Sequence, residues 1–248
     1  MDKYGLIGFP LGHSFSKQYF TDKFAREGID AEYKNFEIPS IGMLPQILKE
    51  NRDLCGLNVT IPYKRAVIPY LDKISEKAKE IGAVNVIRVT RNESGRPVLE
   101  GFNSDAIGFR DSIAPLLSPS KHNALIIGTG GASHAICRAL SELGVRWSHV
   151  SRKRNEGVYC YEDLTIDIIR DHDIIINCSP VGMFPHVDEA PNIPYEGITS
   201  RHLLYDLIYN PEVTEFMKRG AAQGAIVKNG LEMLHLQAEA SWEIWNNI

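Results

Sequence analysis

The run Asn123-Ala124-Leu125-Ile126-Ile127, followed at once by Gly128-Thr129-Gly130-Gly131-Ala132-Ser133-His134, constrains this chain more than any other segment. A continuous apolar run reads as a strand buried on both faces, which calls for helices on both sides of a mostly parallel sheet. The glycine turn opens into a helical pattern from Ala132 to Leu143. Glycines there let the backbone approach a pyrophosphate, whose charge the free N–H groups and the positive end of the helix would meet. The spacing is GxGG rather than GxGxxG. A tight turn without a ligand, or the glycine turn of an S-adenosylmethionine methyltransferase, shares it.

The end of the next strand narrows the choice. About 20 residues on, a NAD site places an acid against the ribose 2′-hydroxyl. This chain has Ser151-Arg152-Lys153-Arg154 instead. Cations there pair with a 2′-phosphate, which favours NADP over NAD and counts against a methyltransferase. A solvated basic loop would carry the same residues.

Elsewhere, short β-like runs alternate with helical patterns, as in an α/β protein with crossover helices. The first half reads as strand 4–9, a helix 16–27 capped by Ser16, strand 31–36, helix 43–50, strand 56–60, helix 74–81 and strand 84–90, with a turn at Asn92 to Gly95. The second half reads as a helix from Asp105 toward Leu117, strand 123–127, helix 132–143, strand 147–151, helix 164–170, strand 173–177, strand 203–206, helix 211–223, strand 225–228 and a last helix 231–245. The change of texture near Asp105 predicts that a second domain begins there.

Composition excludes several classes. At 248 residues, 44% hydrophobic and 23% charged, the chain is long enough for one or two ordinary cores. Twenty-seven Lys plus Arg against 31 Asp plus Glu leave a net charge of -4, which gives no pull toward nucleic acid or an anionic membrane. A small molecule is the expected partner. Cys55, Cys137, Cys160 and Cys178 form no CxxC pair, so neither a zinc cluster nor a disulfide framework is expected, and a reducing cytoplasm fits. The N-terminal segment is too broken by Gly and Pro for a signal peptide, and no apolar run approaches a membrane span.

Three further segments carry candidate chemistry. Asn58-Val59-Thr60-Ile61-Pro62-Tyr63-Lys64 leaves a strand for a loop, so Asn58, Thr60 and Lys64 can crowd one strand end, where ligands of open α/β sheets bind. Gly101-Phe102-Asn103-Ser104-Asp105 puts a carboxylate at the domain join. Asp105 is either a helix cap or the orienting partner of a proton-donating Lys64. His13-Ser14-Phe15-Ser16 offers two hydroxyls suited to a small carboxylate, or an N-cap and a turn serine, with His13 structural.

Together these segments resemble the shikimate dehydrogenase family. The likeness runs through GHSFS at 12–16, NVTIPYK at 58–64, GAVNV at 82–86, GFNSDAIG at 101–108, GTGGA at 128–132, NCSPVGM at 177–183, DLIYNPEVT at 206–214 and NGLEML with Gln237 at 229–237. It implies NADPH-dependent reduction of 3-dehydroshikimate to shikimate, on the route to chorismate and the aromatic amino acids. The implied fold is an N-terminal α/β substrate domain, a Rossmann-like NADP domain and a C-terminal helix returning to the first, which sets the domains at 1–104 with 230–248 and at 105–229.

The resemblance also assigns roles by position. Lys64 and Asp105 match the catalytic pair. Ser14 and Ser16 match the hydroxyls that hold the substrate carboxylate, and Thr60, Asn85, Tyr209 and Gln237, with Asn58 close by, match residues lining the ring. Gly128, Thr129, Gly130, Gly131 and Ala132 match the pyrophosphate loop. Ser151, Arg152 and Lys153 match the 2′-phosphate segment, and Glu76, Leu207 and Gly230 match lesser cofactor contacts. No metal is implied, and a homodimer is left open.

The chain departs from the family pattern at Lys17 to Thr21, at Val86 and Ser104, and in a compressed stretch 152–172. A quinate-type enzyme using NAD predicts an acid in place of Arg152. A binding protein without turnover predicts loss of Lys64 or Asp105, and both are present.

Overall fold

The computed structural model describes residues 1–12, 15–118 and 122–247. They pack as two units, Met1–Ser104 with Gln237–Ile248, and Asp105–Leu236. The chain changes unit at Gln237, further along than the expected 230, because the last helix begins with the second unit.

The first unit contains β1 (Asp2–Gly8), α1 (Phe15–Glu27), β2 (Ala31–Glu37), α2 (Leu44–Glu50), β3 (Leu54–Val59), α3 (Tyr63–Ala66), β4 (Lys73–Ile74), α4 (Glu76–Ile81), β5 (Val86–Arg91) and β6 (Pro97–Phe102). Its sheet runs β2-β1-β3-β5-β6-β4. The expectation of parallel strands fails in part here. β1 lies parallel to β2 and β3, but β5 is antiparallel to both β3 and β6. The turn at Asn92 to Gly95 is too short for a crossover, so the strand after it must double back as a hairpin. That strand, β6, begins at Pro97, a residue that reads as a break but is tolerated where a strand starts.

The sheet is covered on both faces. Ile7, Leu57, Ile87 and Leu99 pack with Leu44, Ile47 and Leu48 of α2. Tyr4, Leu6, Tyr33 and Val86 pack instead with Phe20 and Phe24 of α1 and with Ala238 and Trp245. Alternation along a strand sends neighbours to opposite faces, which is why Leu6 and Ile7 serve different cores. Trp245 lies flat on β3 because Gly56 has no Cβ. A side chain there would enter the indole ring, whose N–H donates to the Ile87 carbonyl at 3.1 Å.

The second unit contains α5 (Asp105–Ile113), β7 (Asn123–Ile127), α6 (Gly131–Glu142), β8 (Arg146–Ser151), β9 (Val158–Cys160), α7 (Ile166–Arg170), β10 (Ile174–Asn177), β11 (Leu203–Asp206), α8 (Glu215–Ala222) and β12 (Ile226–Lys228), followed by α9 (Leu231–Asn246). Its sheet, β9-β8-β7-β10-β11-β12, is parallel throughout. This is the doubly wound order of a Rossmann fold, with its switch point between β7 and β10. β7 is buried on both faces, as its run of apolar residues predicts. Ala124 and Ile126 pack with Ile136 and Leu140 of α6, and Leu125 and Ile127 pack with Ile169 and Phe216.

Most expected helix starts lie within two residues of the observed ones, and α1 and α8 are the two that alter a reading. α1 begins at Phe15, so Ser16 is inside the helix rather than its cap. α8 begins at Glu215 rather than Pro211, because the Thr214 hydroxyl oxygen accepts from the Met217 N–H at 3.3 Å and ends the loop there. The compressed stretch holds only the three-residue β9, a single 3-10 turn and the five-residue α7.

Candidate functional site

In the first unit, the C-terminal ends of β3 and β6 and the entry to β5 bring buried polar groups together. Asn58, Asn85, Ser104, Gln237 and Ser241 are all at most 9% exposed. Polar side chains at that depth persist only when bonded to one another. Ser16 lies near enough to the Tyr33 phenol to pull its pKa down, and the Tyr33 hydroxyl donates to Asn58 Oδ1 at 2.8 Å. Asn58 Nδ2 donates to Ser241 Oγ at 3.0 Å. Asn85 grips Ser104 twice, donating from Nδ2 to its Oγ at 3.0 Å and accepting its backbone N–H on Oδ1 at 2.7 Å.

The two serines end the network with a choice. Ser104 Oγ lies 3.1 Å from Ser241 Oγ and 3.4 Å from Gln237 Oε1, and Ser241 Oγ reaches the Gln237 carbonyl at 2.8 Å. Each hydroxyl has one hydrogen and cannot serve both acceptors, so the cluster can turn a donor or an acceptor toward a hydroxylated guest.

The structure therefore gathers Ser16, Asn58, Asn85 and Gln237 of the expected set, and adds Tyr33, Ser104 and Ser241, to which the sequence reading assigned no site role. Tyr33 sits at an inward position of the alternating strand β2, and Ser241 lies four residues beyond Gln237 on one helix face. Those spacings were the available signals. Burial pushes the Tyr33 phenol far above its ordinary range, with Ser16 pulling the other way, so it stays a neutral donor.

Thr60 and Lys64 follow β3. The Thr60 N–H donates to the Ile7 carbonyl at 2.9 Å, and the Lys64 carbonyl accepts from the Val84 N–H at 2.7 Å. This fastens the lysine's backbone beside Asn85. Lys64 is half-buried in α3, and Asp105, also half-buried, is the first residue of α5 in the second unit. Tyr209 is 41% exposed beyond β11, in the second unit. Ser14 and His13 lie outside the described residues.

In the second unit, a cavity of about 740 Å³ opens at the switch point. Its walls include the loop Gly128, Thr129 and Gly130, the segment Ser151, Arg152 and Lys153, and the turn Cys178 to Val181 after β10. Gly128 has φ +107°, a conformation L side chains rarely adopt, and a Cβ there would press on the Cys178 backbone. Gly130 and Gly131 front open space at the start of the 12-residue α6. Ala132 follows in that first turn.

Asn177 shapes the opposite wall. Its Oδ1 accepts from the Ser179 N–H at 3.1 Å and hydroxyl at 2.7 Å, and its Nδ2 donates to the Val181 carbonyl at 3.2 Å and to Asp206 Oδ1 at 3.0 Å. The bare glycine loop, the helix start and the two cations fit a pyrophosphate and a phosphate monoester, which are the charged parts of NADP. Burial pushes the Cys137 thiol up to about 12 and the Cys178 thiol well above its usual value, so neither is a thiolate near neutral pH.

Leu207 and Gly230 lie together behind this wall. The Gly230 N–H donates to the Ile208 carbonyl at 3.1 Å, and a Cβ on Gly230 would strike the Leu207 carbonyl. Glu76 is exposed in the first turn of α4, in the first unit and outside this cavity's walls. Among the described residues no group of three or more His, Cys, Asp or Glu could hold a metal, and no helix is long and apolar enough to cross a membrane.

Comparison with known proteins fits this geometry. The family model described as the shikimate dehydrogenase substrate binding domain matches residues 6–87. A curated relative, the NADP(+) shikimate dehydrogenase of Clostridium beijerinckii, is 36% identical over 99% of this chain and 92% of its own. A solved chorismate mutase/shikimate 5-dehydrogenase fusion protein from Clostridium acetobutylicum is 36% identical, with a TM-score of 0.86 over 100% of this chain and 92% of that one. The shikimate 5-dehydrogenase of Thermus thermophilus, solved with NADP(H) and shikimate, is 30% identical, with a TM-score of 0.85 over 100% and 94%. With both units matched and nearly the full length of these relatives covered, the chain belongs to the shikimate dehydrogenase family.

Proposed function

We propose that this protein catalyses the reversible NADP-dependent reduction of 3-dehydroshikimate to shikimate, within the biosynthesis of aromatic amino acids. The observation that carries the reading is the buried hydroxyl and amide network in the unit that matches the family's substrate domain. A ring bearing several hydroxyls needs paired donors and acceptors, and Asn58, Asn85, Ser104, Gln237 and Ser241 supply both.

NADPH, when bound, supplies the hydride. Gly128 to Ala132 then hold its pyrophosphate, and Ser151, Arg152 and Lys153 hold its 2′-phosphate. Ser14 and Ser16 hold the substrate carboxylate, and Thr60 and Tyr209 border the ring. The Lys64 ammonium donates a proton to the oxygen that was the ketone, and the Asp105 carboxylate orients that ammonium. Glu76, Leu207 and Gly230 are assigned lesser cofactor contacts. The setting is the reducing cytoplasm, where four free thiols suit the environment.

The test is direct. Purified protein with NADPH and 3-dehydroshikimate should lose reduced nicotinamide absorbance rapidly, with far slower loss for NADH, and quinate with NADP(+) should form little NADPH. No loss with NADPH, alongside calorimetric binding of shikimate, would replace the enzyme by a binding protein.

A further inference from the structure

Another cavity, of about 430 Å³, lies wholly within the first unit. It opens between α2, the approach to β3, and the hairpin of β5 and β6. Arg52 precedes β3, Arg91 ends β5 and Pro97 begins β6, whereas Asn58 lies near the far end of β3, Asn85 precedes β5 and Ser104 follows β6. The cavity is thus at the opposite end of these strands from the hydroxyl network, about 20 Å away by the rise of six strand residues.

Its floor is apolar, formed by Leu44, Leu48 and Leu99 with Tyr70 beside them. Its rim is cationic, with Lys49, Arg52, Arg91 and Arg96 against a single lining carboxylate, Asp72. That carboxylate is already used, since Asp72 Oδ1 pairs with Arg96 at 2.6 Å and Oδ2 accepts from the Leu99 N–H at 2.9 Å.

Arg91 is held without being neutralised. Its guanidinium donates to the carbonyls of Arg52 at 2.8 Å, Asn51 at 3.2 Å and Gly95 at 3.4 Å. Three carbonyls fix the plane of the fork and leave its charge intact, with N–H groups to spare. Among the described residues, neither Lys49 nor Arg52 has a carboxylate within ion-pair distance. A fixed guanidinium and two uncompensated cations over an apolar floor make a rigid reader of a carboxylate that carries a ring.

We propose that this cavity is a second ligand site, taking an organic anion of about one or two fused rings, with the carboxylate on Arg91, Lys49 and Arg52 and the ring on Leu48, Leu99 and Tyr70. The volume is that of a small-metabolite pocket rather than of a solvent site. Its position, away from the hydroxyl network, makes it a place where a small acid binds without displacing the substrate.

The test uses the full chain labelled for amide NMR, titrated with naphthalene-2-carboxylate, with naphthalene-2-methanol as the neutral isostere and inorganic phosphate as the charge alone. The acid should give saturable shifts at Leu48, Tyr70 and Leu99. The alcohol and phosphate should each bind at least tenfold more weakly. The double variant Lys49→Gln/Arg52→Gln should weaken the acid by tenfold or more while amides elsewhere keep their positions, which shows an intact fold. Equal binding of acid and alcohol, shifts confined to Asn58, Asn85 and Ser104, an unaltered affinity in the double variant, or no saturable shift would each overturn the site.

Discussion

Lys64 and Arg152 were both legible in the sequence as candidates, yet for different reasons. Lys64 follows a strand end, where backbone geometry alone brings a side chain to a ligand crevice, and the Val84 bond at its carbonyl shows how the fold holds it there. Lys64→Ala should lower kcat by roughly 10² to 10⁴ with little change in KM, as expected for loss of a positioned proton donor. Steady-state kinetics with 3-dehydroshikimate checks this, and an unchanged kcat removes Lys64 from the reaction. Arg152 reads as a phosphate partner from its place after β8 and from the absence of an acid. Arg152→Asp should raise KM for NADPH far more than KM for NADH, because the new carboxylate repels only the 2′-phosphate. Comparable losses with both cofactors would mean the side chain faces elsewhere. Tyr33 and Ser241 were not read as site residues, because strand alternation and the four-residue spacing from Gln237 say which face each lies on, and not that this face meets Asn58.

At the scale of elements, periodicity located most strands and helices, and the errors have physical causes. β6 was hidden by its leading Pro97, and α8 was drawn too long because Pro211 looked like a first helical residue when Thr214 caps the helix. The last helix illustrates what an element's anchoring does. Within the first unit Lys23 of α1 is 6% exposed and reaches Glu239 at 2.8 Å and Glu27 at 3.1 Å. Burial draws its pKa down, but the bonds and charges of Glu239 and Glu27 outweigh this and the net shift is upward, so it stays charged. That ion pair fixes the rotation of α9 from Glu239, on the side opposite Gln237 and Ser241, because residues two apart on a helix point nearly opposite ways. The indole of Trp245 does the same on β3 and needs the bare Gly56. Gly56→Ala should destabilise the protein by about 1–3 kcal/mol through overpacking. Urea unfolding measures it, and an unshifted midpoint would show that Trp245 can move aside at no cost.

For the molecule as a whole, stability carries a pH signature from Asp206, which is fully buried at the end of β11. Burial pushes its carboxyl up to about 6, although Thr214, the Ile208 N–H and Asn177 all donate to it and pull the other way. A carboxyl whose folded pKa exceeds its unfolded value stabilises the fold fully below the unfolded value, near 4, and that contribution is lost as pH rises through about 6. The loss is roughly 3 kcal/mol at 1.36 kcal/mol per pKa unit. Asp206→Asn cannot ionise, so the stability of the wild type relative to this variant should fall between pH 4 and pH 7, as urea midpoints across that range would record. A constant difference would place the titration elsewhere. The sequence by itself determined the α/β class, the glycine turn after a doubly buried strand, the cations after β8 and the order of motifs, because each depends on residues close together in the chain. The tertiary structure alone decided the antiparallel hairpin in the first sheet, the depth of Asn58, Ser104 and Ser241, and the cationic cavity at the other end of their strands. Those depend on which distant segments share a face, and burial and hydrogen-bond partnership arise only when the sheet has formed.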